Sequence, residues 1–102
     1  MTASNIPFAP KGASTVTFSV TTVSSVQQVN PGPGRSRRLR LVNAGPSTVF
    51  VEMGGAGVTA NRLSALPILS GGSAVVTAAG SYLAAVTETG SALLYATPGE
   101  GG

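Results

Sequence analysis

Short apolar and β-branched runs, interrupted roughly every eight to twelve residues by Gly, Pro, Asn or Ser, set the rhythm of this chain. Thr15–Val20 alternates strictly, with Val16, Phe18 and Val20 on one face and Thr15, Thr17 and Ser19 on the other. Residues at i and i+2 share a face only in extended backbone, so the spacing predicts a half-buried strand. Arg37–Val42 repeats the pattern, Leu39 and Leu41 facing inward and Arg38 and Arg40 outward. Asn43-Ala44-Gly45-Pro46 then reads as a turn and Thr48–Met53 as the returning strand of a hairpin. A short strand is expected at Ala74–Thr77. Tyr82–Thr87 and Ala92–Thr97 read as a second hairpin, joined by Glu88–Ser91.

Two segments are less regular. Val23, Val26 and Val29 are spaced by three, which would suit a helix, but TTVSSVQQV is made of poor helix formers. A bulged or bent strand, or two short strands, is the better reading. Val58–Leu69 contains Pro67 and is expected to be a loop with a short helix or an edge strand. Asn30–Gly34 breaks any regular element. Seven or eight short strands with turn residues between them predict an all-β fold, a small single-domain β-sandwich of jelly-roll type.

The domain is expected over residues 14–98. An extended N-terminal arm over 1–13 contains Pro7 and Pro10, with Ile6 and Phe8 as anchors that reach a neighbouring subunit; residues 99–102 form a C-terminal tail. The 102 residues suit one domain, and 42% hydrophobic residues are enough to form a core. Charged residues, however, are only 9%, against about 25% in ordinary soluble domains. Gly12–Gly34 and Leu63–Thr87 carry no ionisable charge. Burial between subunits explains such stretches better than a solvated neutral surface, so a homo-oligomer is expected. Leu63–Thr87 has the length of a membrane span, but Pro67, Gly71, Gly72 and Gly80 would break the helix, and no membrane role is expected. The N-terminus has no signal-peptide pattern.

Chemistry is scarce. The chain has no His, Cys, Trp or Asp, and its carboxylate side chains are Glu52, Glu88 and Glu100. A positioned base, nucleophile or metal ligand is what most enzymes need, so a non-enzyme without cofactor or metal is expected. Glu52 and Glu88 read as salt-bridge partners for the arginines rather than a hydrolytic pair. Gly54–Gly57 lacks the Lys-Ser/Thr ending of a phosphate loop and reads as turn chemistry. Tyr82 and Tyr95 would pack across the second hairpin.

The net charge of +3 comes chiefly from Arg35, Arg37, Arg38 and Arg40. Guanidinium forks pair with carboxylate or phosphate oxygens, so these four residues are candidate partner contacts. Alternation places Arg38 and Arg40 on one face, with Arg35 and Arg37 at the strand entrance. No aromatic residue interleaves with them, which weighs against a nucleic-acid-binding module.

RLRLVNAGPSTVFVEMG (Arg38–Gly54), LPILSGGS (Leu66–Ser73) and YLAAVTETGSALLYATPGEG (Tyr82–Gly101) together resemble small structural proteins of tailed bacteriophage virions. The resemblance covers about two-thirds of the chain and rests on strand and turn order, with no catalytic signature. It implies a virion component made in the host cytoplasm, nearest to head decoration (cement) proteins on the capsid surface. The implied partners are the major capsid protein and further copies of the chain, a trimer being favoured. A tail, neck or fibre-attachment component is the alternative within virions.

Overall fold

The computed structural model describes residues 7–12, 14–30 and 36–101; these contain nine strands and no helix. One antiparallel sheet contains β1 (Ala9–Pro10), β2 (Val16–Val20), β4 (Arg38–Pro46), β7 (Ser73–Thr77) and β9 (Ala92–Glu100). The other contains β3 (Ser25–Gln28), β5 (Val49–Gly54), β6 (Leu66–Ile68) and β8 (Tyr82–Thr87), in the order β3-β8-β5-β6. In the larger sheet β9 pairs with β1 and β2 and with β4, and β7 lies beyond β4. The pairings nest: β2 with β9, β3 with β8, β4 with β7 and β5 with β6.

Within each strand, alternation decides what is buried. Phe18 and Val20 of β2, Leu39 and Leu41 of β4, Val49 and Val51 of β5, Leu83 of β8 and Leu94 of β9 join one buried cluster. Because that cluster draws on both sheets, the sheets face one another across it. β8 departs from alternation, since Leu83–Thr87 is buried throughout. The segment between β5 and β6 causes this: Val58, Ala60 and Ala65 pack on Ala84, Val86 and Phe50 from outside. The Ala60 N–H donates to Ser24 Oγ at 2.9 Å, tying that cover to the approach to β3. A strand covered on both faces is a continuous apolar run, as Leu83-Ala84-Ala85-Val86 is.

Neither expected hairpin forms. β4 and β5 lie in different sheets, as do β8 and β9. Tyr82 and Tyr95 therefore do not pair; Tyr82 is in register with Gln28 and Gly54, and Tyr95 with Thr17 and Val42. Asn43–Pro46 is not a free turn but the last part of β4, with a register shift between Asn43 and Pro46 against β9. β9 continues through Glu100, so Pro98–Glu100 is strand rather than tail. The Val23–Val29 region holds one short strand, β3, which lies in the opposite sheet from β2, in place of the bulged strand or two strands expected there. β6 is the edge strand expected near Pro67.

Fully buried Asn43 organises the crossing from β4 to β5. Its Nδ2 donates to the carbonyls of Ser47 and Ile68, each at 2.8 Å, and its Oδ1 accepts the Gly45 N–H at 2.8 Å. The Asn43 backbone adds two more links, donating to Gly72 at 2.9 Å and accepting from Gly71 at 2.8 Å. Gly45 has φ of 84°, and a Cβ there would run into the Ser70 side chain, so the corner requires glycine. Replacing Asn43 by Ala removes the partner of two carbonyls and one N–H. Urea unfolding is expected to show a loss of roughly 2–4 kcal/mol, the cost of stranding buried polar groups. A loss below about 1 kcal/mol would show that the corner holds without the amide.

Candidate functional site

The outer face of the larger sheet collects three of the six expected contact residues, Phe8, Arg38 and Arg40. Leu39 and Leu41 point into the core, so Arg38 and Arg40 on the same strand point away from it. Register fixes their neighbours. Arg40 lies between Val75 of β7 and Thr97 of β9, and Arg38 between Thr77 and Gly99. The next row is Ser73, Val42, Tyr95 and Thr17. Thr15 and Thr97 hydroxyls are hydrogen-bonded at 2.8 Å along the same face. The surface is thus a band of hydroxyl and small apolar side chains with two guanidiniums at one end.

Phe8 joins that end. Strand β1 pairs Ala9 with Glu100 and Pro10 with Gly99, and the Lys11 N–H donates to the Pro98 carbonyl at 2.8 Å. The Phe8 ring fills the space that a Cβ on Gly99 would need, beside the Ala9 carbonyl. Gly99 is the register partner of Arg38, so Phe8, Arg38 and Arg40 gather on one face. The described part of the arm therefore packs on its own chain. Ile6 and Arg35, the other two expected contacts, lie outside the described residues.

Arg37 precedes β4 and is exposed; its backbone N–H donates to Glu100 Oε2 at 3.0 Å. That bond engages Glu100 with the backbone at the rim of the face. The buried Asn30 clamps the other approach: its Nδ2 donates to the Ser36 carbonyl at 2.9 Å and its Oδ1 accepts the Ser36 N–H at 3.0 Å. The amide copies a two-bond backbone pair and sets the direction in which β4 begins. Among the described residues the expected pairing of Glu52 and Glu88 with the arginines is not found. Glu52 is on β5 in the opposite sheet, and Glu88 follows β8. They border separate hollows, Glu52 a cleft of about 290 Å³ and Glu88 a polar recess of about 220 Å³, so they do not form a carboxylate pair. Among the described residues no group of three or more potential metal-ligating side chains gathers.

Sequence reasoning missed two features. Asn43 carries no signal of its own, since an Asn before Ala-Gly-Pro reads as ordinary turn chemistry. The edge position of β7 was also missed, because pairing rather than composition decides which strands are edges. Set against known proteins, the chain matches no family model, no curated sequence and no solved structure.

The close fit of Phe8 on Gly99 has a measurable consequence. Gly99→Val is expected to push the Phe8–Lys11 segment off β9, destabilising the fold by roughly 1–3 kcal/mol. Tryptic cleavage after Lys11 should accelerate in the variant. Unchanged cleavage and stability would mean that the segment contributes nothing to the described fold.

Proposed function

We propose that this chain is a non-enzymatic virion structural protein, nearest to a capsid decoration (cement) protein, and that its two sheets form a jelly roll. The observation that carries the reading is the nested pairing, β2–β9, β3–β8, β4–β7 and β5–β6, divided between two antiparallel sheets. A long antiparallel ribbon rolled on itself gives that order, and viral capsid domains are among the proteins built this way. The resemblance of Arg38–Gly54, Leu66–Ser73 and Tyr82–Gly101 to phage virion proteins supports the same role. The major capsid protein is the partner, met through the outer face of the larger sheet, and self-association accompanies it. A tail or neck position would use the same surfaces.

Charge gives this reading a direction. Arg38 and Arg40 share a face, and no carboxylate stands in its rows. Such a face fits an acidic protein surface, since each planar guanidinium fork can meet a carboxylate with two parallel hydrogen bonds. The same outward-facing arginines favour nucleic acid as the second reading. Salt-sensitive binding to bare DNA would support it, whereas cosedimentation with nuclease-treated empty shells supports decoration.

Double charge reversal, Arg38→Glu with Arg40→Glu, is expected to weaken cosedimentation with capsids at least about tenfold, with wild-type binding itself declining as salt rises. Wild-type occupancy by the double variant, insensitive to salt, would remove this face from the contact. The fold should survive both changes, since the two side chains point away from the core.

A further inference from the structure

The free edge of β7 has a phase that suits a second copy of itself. In the ladder with β4, the Ala78 N–H donates to the Arg37 carbonyl and the Asn43 N–H to the Gly72 carbonyl, both at 2.9 Å. Leu39↔Val76 and Leu41↔Ala74 fall between these pairs in the same register. Hydrogen-bonded pairs recur at every second residue of an antiparallel ladder, so Ala74 and Val76 direct their backbone groups to β4. Ser73, Val75 and Thr77 direct theirs to the open side. All three are exposed, and among the described residues β4 is the one strand paired with β7.

Three other margins are blunted, whereas β3, also an edge and free of charge and proline, is only four residues long. β1 is two residues long and includes Pro10, and β6 is three residues long and includes Pro67. At the end of β2 the Thr21 carbonyl accepts the Thr87 N–H of β8 at 2.8 Å, which ties that margin to the opposite sheet. β7 has none of the usual protections: Ser73-Ala74-Val75-Val76-Thr77 contains no charge and no proline, and its register with β4 is unbroken. Exposed apolar side chains accompany this edge. Leu69, just before β7, is 67% exposed, Leu66 at the cleft 44% and Val75 39%. The cleft of about 290 Å³ opens here too, reaching Leu41 and Val51 between the two sheets.

We propose that β7 pairs antiparallel with β7 of a second copy about a two-fold axis through Val75. This register sets Ser73 against Thr77, Val75 against Val75 and Thr77 against Ser73. Each of these residues has its backbone groups on the open side, so each of the three pairs exchanges two N–H···O=C bonds. Moving the axis by one residue either way leaves only two such pairs. The side chains match as well, hydroxyl beside hydroxyl and Val beside Val, with no charge brought together. Arg40 is in register with Val75, so the two Arg40 residues stand three strand spacings apart, about 14 Å. That exceeds the screening length of about 8 Å at physiological salt, and their repulsion does not block the contact. The product is one continuous sheet through both copies, with Arg38 and Arg40 of each on a single face. The inference goes beyond the virion role and does not depend on it.

The test uses the isolated full chain. Analytical ultracentrifugation is expected to give twice the chain mass, and Val75→Lys should return it to the chain mass with an unchanged far-ultraviolet circular dichroism spectrum, its unfolding midpoint losing only the concentration-dependent part that association adds. Val75→Cys supplies a second readout, since the chain has no other cysteine. Opposed hydrogen-bonded residues have Cα atoms about 5.5 Å apart, within disulfide range. Mild oxidation should link Val75→Cys at least about tenfold faster than Val26→Cys, a control on the exposed edge strand β3. A wild-type chain at single mass, even one that recruits a strand from another protein, would overturn the proposal. So would a trimer, or a dimer that Val75→Cys links no faster than the control.

Discussion

Everything in this fold depends on strands leaving one sheet for the other without leaving polar backbone unsatisfied. At the end of β4 that constraint is met by one amide. Asn43 is buried, and its side chain reaches the carbonyls of Ser47 and Ile68 and the N–H of Gly45. These groups belong to the departing chain, to the end of β6 and to the corner itself. The Asn43 backbone meanwhile holds Gly71 and Gly72 before β7. A single residue therefore joins the β4–β5 and β6–β7 crossings at one end of the two sheets. An aliphatic side chain could fill the volume, but it could satisfy none of these groups, and buried backbone left unpaired costs more than packing returns.

The individual strands were legible in the sequence, but their partners were not. Val16-Phe18-Val20 and Leu39-Leu41 face the core as their alternation requires, and the Arg38–Arg40 face follows from the same period. A hairpin and a crossing between facing sheets, however, bury the same residues of both strands. Leu39 and Leu41 point inward in either case, as do Val49 and Val51. The connecting residues also look alike, because Gly45 with φ of 84° and Gly90 with φ of 68° serve any sharp reversal. What separates the two arrangements is the Asn43 network, whose acceptor at Ile68 is remote in sequence. The same limit applied to Glu52 and Glu88, whose opposite charge to the arginines says nothing about which sheet carries them.

Low charge takes on a structural meaning once the edges are known. A protein with many lysines can protect every edge electrostatically. Here, with 9% charged residues, backbone devices take over part of that task, with brevity and proline at β1 and β6 and a tie to the opposite sheet at the end of β2, while β3 and β7 carry neither charge nor proline. The charges that remain are placed unevenly. Arg38 and Arg40 stand on the outer face of the larger sheet, while Glu100 turns to the Arg37 backbone and Glu52 and Glu88 border separate hollows. A face of one sign with neutral edges separates two kinds of recognition. Side chains on the face respond to the charge of a partner, and backbone along an edge responds only to the phase of another strand.

That separation bears on how a chain with so little side-chain chemistry can still be selective. Main-chain pairing is strong in aggregate but tolerant of sequence, so its specificity must come from geometry: where the edge ends, and which residues have free N–H and C=O groups. In β7 the open positions are Ser73, Val75 and Thr77, and the strand is bounded by the Gly71–Gly72 turn before it and by Ala78 bonded to Arg37 after it. Five residues allow only one in-phase register with all three positions used. A longer edge would admit several, with slippage and open-ended association as the result. The shortness of the strand thus limits its partner choice, and the arginines on the neighbouring strand add a direction that the backbone alone lacks.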